Sequence, residues 1–195
     1  GRRLHILTLG TEWESRHGGL STFNREMCIA LAAAGHQVVC VVPESTAQER
    51  EAAEENSVHL VSPAFEPGLD NSEKLLLNTP LPKDFQPELV IGHDRKTGPH
   101  AKVLAERFAA SKFVLFVHTR PEDIEWHKDK LGPDDAATTG EKRRRLLQNL
   151  AYSAALVVGV GPLLTKNAET LVFLAEPQPV VHQLDPGFSP ITRPP

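Results

Sequence analysis

Short apolar runs of strand length alternate with helix-length segments along the whole chain, and this alternation limits the fold more than any other feature. The runs cover residues 4–9, 38–42, 57–61, 89–92, 113–118, 155–160 and 180–184. Between them the apolar spacing turns helical. Phe23, Met27 and Leu31 lie on one face of a predicted helix over 21–34, with Gly35 as its stop signal. Further helices are predicted over 46–56, 98–110, 141–152 and 162–171, the last opened by Pro162, where the missing N–H does no harm. Near-continuous apolar strands separated by helices predict an α/β, Rossmann-like parallel sheet of about seven strands with helices on both faces. The five prolines between 63 and 87 predict a loop with one or two helical turns. Residues 121–140 are charged and broken at Gly132-Pro133, which predicts a loop over the sheet edge. At 195 residues, one such domain is the expected content of the chain.

Composition removes several classes of function. Lys and Arg total 21 against 25 Asp and Glu, for a formal charge of −4, so the polybasic footprint of nucleic-acid binding is missing. The apolar runs fall far short of the ~20 residues needed to span a bilayer, and Arg2-Arg3 leads into a short strand-like run rather than a signal peptide. Peripheral membrane contact is not readable from the sequence. Cys28 and Cys40 lie inside apolar segments; they are expected to be buried thiols in a reducing, cytoplasmic setting.

In parallel sheets of this kind, ligands bind outside the carboxyl ends of the strands, where the strand order reverses. The residues that leave each strand are therefore the candidates. After the first strand come Thr11 and the pair Gly18-Gly19, then Ser21 and Thr22. A glycine pair entering a helix lets backbone N–H groups approach a phosphate. The same pair also suits a plain tight turn, with Ser21 or Thr22 as helix cap. The fourth strand ends in His93-Asp94 and the fifth in His118-Thr119-Arg120. A histidine at either position can exchange a hydrogen bond with a substrate hydroxyl near neutral pH, or simply bond a loop carbonyl. Gly161, after the sixth strand, offers an amide to a ligand or makes an ordinary strand-to-helix turn. Trp13 and Trp126 fall in predicted loops, where they either stack on a sugar or pack down.

Other chemistries lack their patterns. His93, Asp94, His118 and His127 show no metal-ligand spacing, so no metal is expected. There is no Gly-x-Ser-x-Gly elbow for a serine hydrolase. No P-loop follows the glycine pair, and no Gly-x-Gly-x-x-Gly or Tyr-x-x-x-Lys supports a nucleotide-dependent epimerase or dehydrogenase. The basic run 142–145 reads as one solvated helical turn.

Several blocks, in order, resemble family 4-type glycosyltransferases of the GT-B fold. They are His5-Ile6-Leu7-Thr8-Leu9-Gly10, then His17-Gly18-Gly19-Leu20-Ser21-Thr22, and Ala34-Gly35-His36-Gln37-Val38 turning into the second strand. Leu89-Val90-Ile91-Gly92-His93-Asp94, Phe116-Val117-His118-Thr119, the stretch 155–161 and the block 180–188 continue the likeness. Asp185-Pro186-Gly187 stands where the family has Asn-Gly, which marks a divergent member.

The resemblance implies an N-terminal, acceptor-side Rossmann-like domain over residues 1–188 and a proline-rich linker over 189–195, leading toward a C-terminal donor-binding domain. In the full-length enzyme a sugar would pass from a nucleoside-diphosphate sugar, the donor substrate, to a hydroxyl of a sugar or glycolipid-type acceptor, with no cofactor. By position, Gly18 and Gly19 would lie by the donor diphosphate and His118 by the reacting sugar, as its catalytic histidine. Thr11, Ser21, Thr22, His93, Asp94, Thr119, Arg120 and Gly161 would line the acceptor side of the cleft. This chain alone is expected to be inactive. The rival expectation is a non-catalytic ligand-binding or interaction module that reuses the fold.

Overall fold

The computed structural model describes residues 1–14, 16, 19–77, 79–118 and 133–185, the stretch 133–137 by its backbone alone. Seven strands form one parallel sheet: β1 (His5–Leu9), β2 (Gln37–Val41), β3 (Val58–Val61), β4 (Leu89–His93), β5 (Lys112–Val117), β6 (Leu156–Val160) and β7 (Val180–Leu184). Their order is β3-β2-β1-β4-β5-β6-β7, and every neighbouring pair is parallel. The six described helices are α1 (Gly19–Ala33), α2 (Ala47–Glu55), α3 (Asn71–Lys74), α4 (Asp94–Arg107), α5 (Pro133–Ser153) and α6 (Pro162–Val172). This is the expected Rossmann-like α/β arrangement. None of the described helices is long and apolar enough to cross a membrane.

The strands are apolar without a break because both faces of the sheet are covered. In β5, Phe113, Leu115 and Val117 pack on one face with Leu104 and Ala105 of α4 and Leu147 and Leu150 of α5. Val114 and Phe116 alternate to the other face, beneath Phe23, Met27 and Leu31 of α1. A further cluster on the α1 side gathers Cys28, Val38, Cys40 and Val58 around Trp13, which is buried. Both thiols are buried and free, as expected. Trp13 is packed into the core and offers no platform to a ligand.

Three boundaries differ from the sequence reading. α1 begins at Gly19, so Ser21 and Thr22 lie in its first turn and do not cap it. α4 begins at Asp94, four residues before the expected start. The stretch Asp94-Arg95-Lys96-Thr97 has no apolar residue to announce a helix, and it is fixed instead by Thr97 Oγ1, which accepts the His93 N–H at 2.8 Å. α5 starts at Pro133, so residues 133–140 are helical and not loop. A first-turn proline suits that start. Residues 119–132 and 186–195 lie outside the described residues, and with them fall Trp126, His127, most of the proposed edge loop and the proline-rich tail.

Among the described residues between 62 and 88 the chain makes one short helix, α3, with a capping box in which Asp70 and Glu73 each accept the other's backbone N–H. The chain runs β1, β2, β3 toward one edge and returns to place β4 on the other side of β1. In sheets of this kind ligands bind at such a reversal, here outside the carboxyl ends of β1 and β4.

Candidate functional site at the strand reversal

Strand alternation decides which side chains meet at the crevice. His93 follows Gly92 and shares a face with Ile91; His118 follows Val117 and shares a face with Phe116. Both histidines therefore lie under α1. There His93 Nδ1 and His118 Nε2 are 2.9 Å apart. His93 Nε2 lies 2.8 Å from Oδ1 of Asn24 on α1, and the Asn24 Nδ2 donates to Cys40 Sγ at 3.4 Å. Phe23, one residue earlier on the helix, sets its ring edge-on to His118, with centroids 4.6 Å apart. Phe116 closes the group, its ring centroid 5.5 Å from that of His93.

Burial sets the charge of this cluster. His93 is fully buried, and loss of water, reinforced by the neighbouring His118, holds it well below the usual histidine range. Burial alone takes His118 down to about 4. At neutral pH both rings are uncharged, and of the two only His118, which is half-buried, is open to a ligand. Asp94 stands at the mouth. It is buried, adopts a left-handed backbone with φ 46°, and its Oδ1 accepts the His118 N–H at 3.1 Å. Such strain in a non-glycine residue gathers at functional sites.

A second polar group lies beside the first, at the exit of β1. Ser21 Oγ donates to Glu12 Oε1 at 3.1 Å, and the same oxygen accepts the Arg16 N–H at 3.0 Å. Thr11 Oγ1 lies 3.5 Å from Ser21 Oγ. Thr11, Glu12, Glu14 and Arg16 form one wall of a cavity of about 350 Å³, with Pro43 to Thr46 opposite. A larger hollow of about 590 Å³ continues along the ends of β2 and β3, lined by Arg50, His59, Phe65 and Lys74 among others. The histidine pair lines neither of them.

A family model described as "Family 4 Glycosyltransferase in conflict systems" matches residues 7–195. The chain belongs to this family of glycosyltransferases. No curated protein matches it.

Within this family 4 glycosyltransferase domain, the structure brings some of the sequence candidates together and leaves others apart. His93, Asp94 and His118 come together at one point, and Thr11 and Ser21 join at the next strand exit. Thr22 is half-buried on α1. Gly19 opens α1 at the same end of the sheet, where an added Cβ would meet nothing within 4 Å. Gly161 stands apart, in a left-handed conformation with φ 89° before α6. Its N–H already donates to Leu184 O at 2.8 Å, so it has no amide left for a ligand. Gly18, Thr119 and Arg120 lie outside the described residues. Among the described residues no group of three or more His, Cys, Asp or Glu side chains is arranged to hold a metal ion.

Sequence reasoning missed Asn24, Thr97 and Glu12. Asn24 is the only polar side chain on the buried stripe of α1 between Phe23 and Cys28. A buried amide at a core position requires a partner, and that requirement was the available signal.

Proposed function

We propose that this chain is the acceptor-side, N-terminal half of a GT-B glycosyltransferase, spanning residues 1–188, with residues 189–195 leading to a donor-binding half. In the assembled enzyme the anomeric C–O bond to the diphosphate breaks and a bond to the acceptor hydroxyl oxygen forms. The hydroxyl proton departs with the nucleoside diphosphate. Charge develops on that diphosphate, and the N-terminus of α1, with Gly18 and Gly19, offers it backbone N–H groups and a favourable helix dipole.

The observation that carries this reading is the neutral histidine pair at the exits of β4 and β5, at the same end of the sheet as the start of α1. A neutral His118 can accept a hydrogen bond from a sugar hydroxyl and hold the ring in place without placing a positive charge beside the anomeric centre. The acceptor is a sugar or glycolipid-type hydroxyl seated along the strand ends. The reduced, buried thiols support a cytoplasmic setting, and the family's description adds conflict systems as the context of the transfer.

A calorimetric titration of this chain with nucleoside-diphosphate sugars and inorganic pyrophosphate tests the reading. Binding by the parent chain, weakened at least tenfold in both Gly19→Val and His118→Ala, is the expected result. Binding that neither substitution changes places the ligand elsewhere and defeats it. No binding by the parent chain, together with specific capture of a partner protein, favours the non-catalytic module.

A further inference from the structure

The reading above needs an imidazole nitrogen able to accept a hydrogen bond, and a neutral histidine has only one. Which nitrogen it is depends on where the proton sits, and a solvent-exposed histidine leaves that choice to its surroundings moment by moment. Here the hydrogen bonds run in one direction. The Asn24 carbonyl oxygen has no proton to give, so His93 Nε2, 2.8 Å away, must be the donor. His93 is fully buried and neutral, so its other nitrogen, Nδ1, carries no hydrogen and accepts. The atom facing it at 2.9 Å is His118 Nε2, which must then carry a hydrogen of its own. His118 is neutral as well, so its proton is spent on Nε2 and Nδ1 is the bare nitrogen.

The start of this chain is fixed too. The Asn24 amide is oriented by sulfur on both sides, because Nδ2 donates to Cys40 Sγ at 3.4 Å and the Cys28 thiol donates to Oδ1 at 4.0 Å. Asn24 is buried, so no water competes for its oxygen.

We infer that Asn24, acting through His93, is a positioning residue that locks His118 in the Nε2–H form and so keeps Nδ1 as its hydrogen-bond acceptor. The catalytic consequence rests on the proposed role of His118; the proton arrangement itself does not. Asn24 and His93 never need to touch substrate. Their part is to make one face of His118 permanently able to receive a hydroxyl hydrogen.

Nitrogen NMR on the chain labelled with ¹⁵N-histidine reads this directly. In the parent protein the bridging hydrogen is expected on His118 Nε2, with a coupling across the hydrogen bond to His93 Nδ1. A hydrogen found on His93 Nδ1 overturns the inference without any variant. Asn24→Leu keeps the volume and removes the carbonyl, and is expected to raise the reversed arrangement by roughly tenfold, the scale of one lost buried hydrogen bond. Cys40→Ala, a gentler change, withdraws one of the two sulfurs that orient the amide and is expected to do the same to a smaller degree. It serves if the leucine variant does not fold. Unchanged proton positions in the folded variants show that Asn24 does not set them. If the relay holds while His118→Ala binds nucleoside-diphosphate sugars as the parent does, the functional reading fails and the relay stands.

Discussion

The carboxylate of Asp94 accepts the backbone N–H of His118 at 3.1 Å and so ties the end of β5 to the first residue of α4. Asp94 holds this position from a left-handed backbone, φ 46°, which Asp and Asn tolerate better than other residues with a side chain. Asp94→Asn keeps an acceptor oxygen and the tolerance, whereas Asp94→Ala loses both. The alanine variant is expected to be less stable by about 1–3 kcal/mol, from an unpaired N–H and the added strain. Asparagine is expected to lose less than half as much. Urea unfolding followed by circular dichroism compares the two, and equal losses would show that neither the bond nor the backbone matters.

The histidine pair makes stability depend on pH. Both His93 and His118 are depressed in the folded chain, and each returns to the ordinary value near 6.5 when unfolded. Between about 4 and 6.5 the unfolded chain therefore binds protons that the folded chain refuses. Stability is complete above pH 6.5 and is lost as pH falls toward 4. The slope is expected to reach about 1.4 kcal/mol per pH unit for each histidine involved. Melting temperatures from pH 7.5 to 4.5 should fall accordingly, and His118→Asn should flatten the decline. Glu44 and Glu141 are also depressed, by Lys74 and Arg144 respectively, but they act below their ordinary 4.5, at the acid end of this window, whereas His100, lowered by burial, adds to the decline within it. A flat profile in the parent would mean that the pair is already solvated.

Two glycines are fixed by neighbouring backbone. A Cβ on Gly159 of β6 would lie 2.5 Å from the Thr165 N and Cα, and one on Gly92 of β4 would meet Gly98 Cα at 2.8 Å. These contacts are with α6 and α4, which must shift bodily to make room. Gly159→Ala and Gly92→Ala are each expected to destabilise by about 1–3 kcal/mol or more, Gly159→Ala the worse. Thermal melts of the two variants check the order; a neutral Gly159→Ala would show that α6 moves freely on the sheet.

The sheet was legible because burial on both faces removes the polar half of the usual alternation and leaves apolar blocks such as Phe113 to Val117. The start of α4 was not, since its first turn is polar and holds by a side chain, Thr97, bonding backward to His93. Residues 133–140 carry no apolar period, so they read as loop although they form the first turns of α5. At the site, the strand-end rule was enough to single out His93, Asp94 and His118. It was blind to Asn24, whose partner His93 lies 69 residues away along the chain. A helix read alone shows that residue only as a polar side chain near its start. Gly161 looked like the other strand-end glycines, and only the pairing of β6 with β7 shows its amide to be taken.

The capping box at α2 predicts a purely structural loss. Thr46 Oγ1 accepts the Glu49 N–H at 3.1 Å, and Glu49 returns the bond to the Thr46 N–H at 3.0 Å. Glu49 also accepts the Glu14 N–H at 3.2 Å, which anchors the loop after β1 to α2. Thr46→Ala removes one cap and is expected to cost about 1 kcal/mol. Glu49→Ala removes the reciprocal cap and the anchor together, so its loss should be larger, and hydrogen exchange at Glu14 should speed up in this variant alone. Equal exchange rates in both variants would show that the loop holds its place without Glu49. In that case the wall of the 350 Å³ cavity is set by the Glu12 bonds to Ser21 and Arg16 instead.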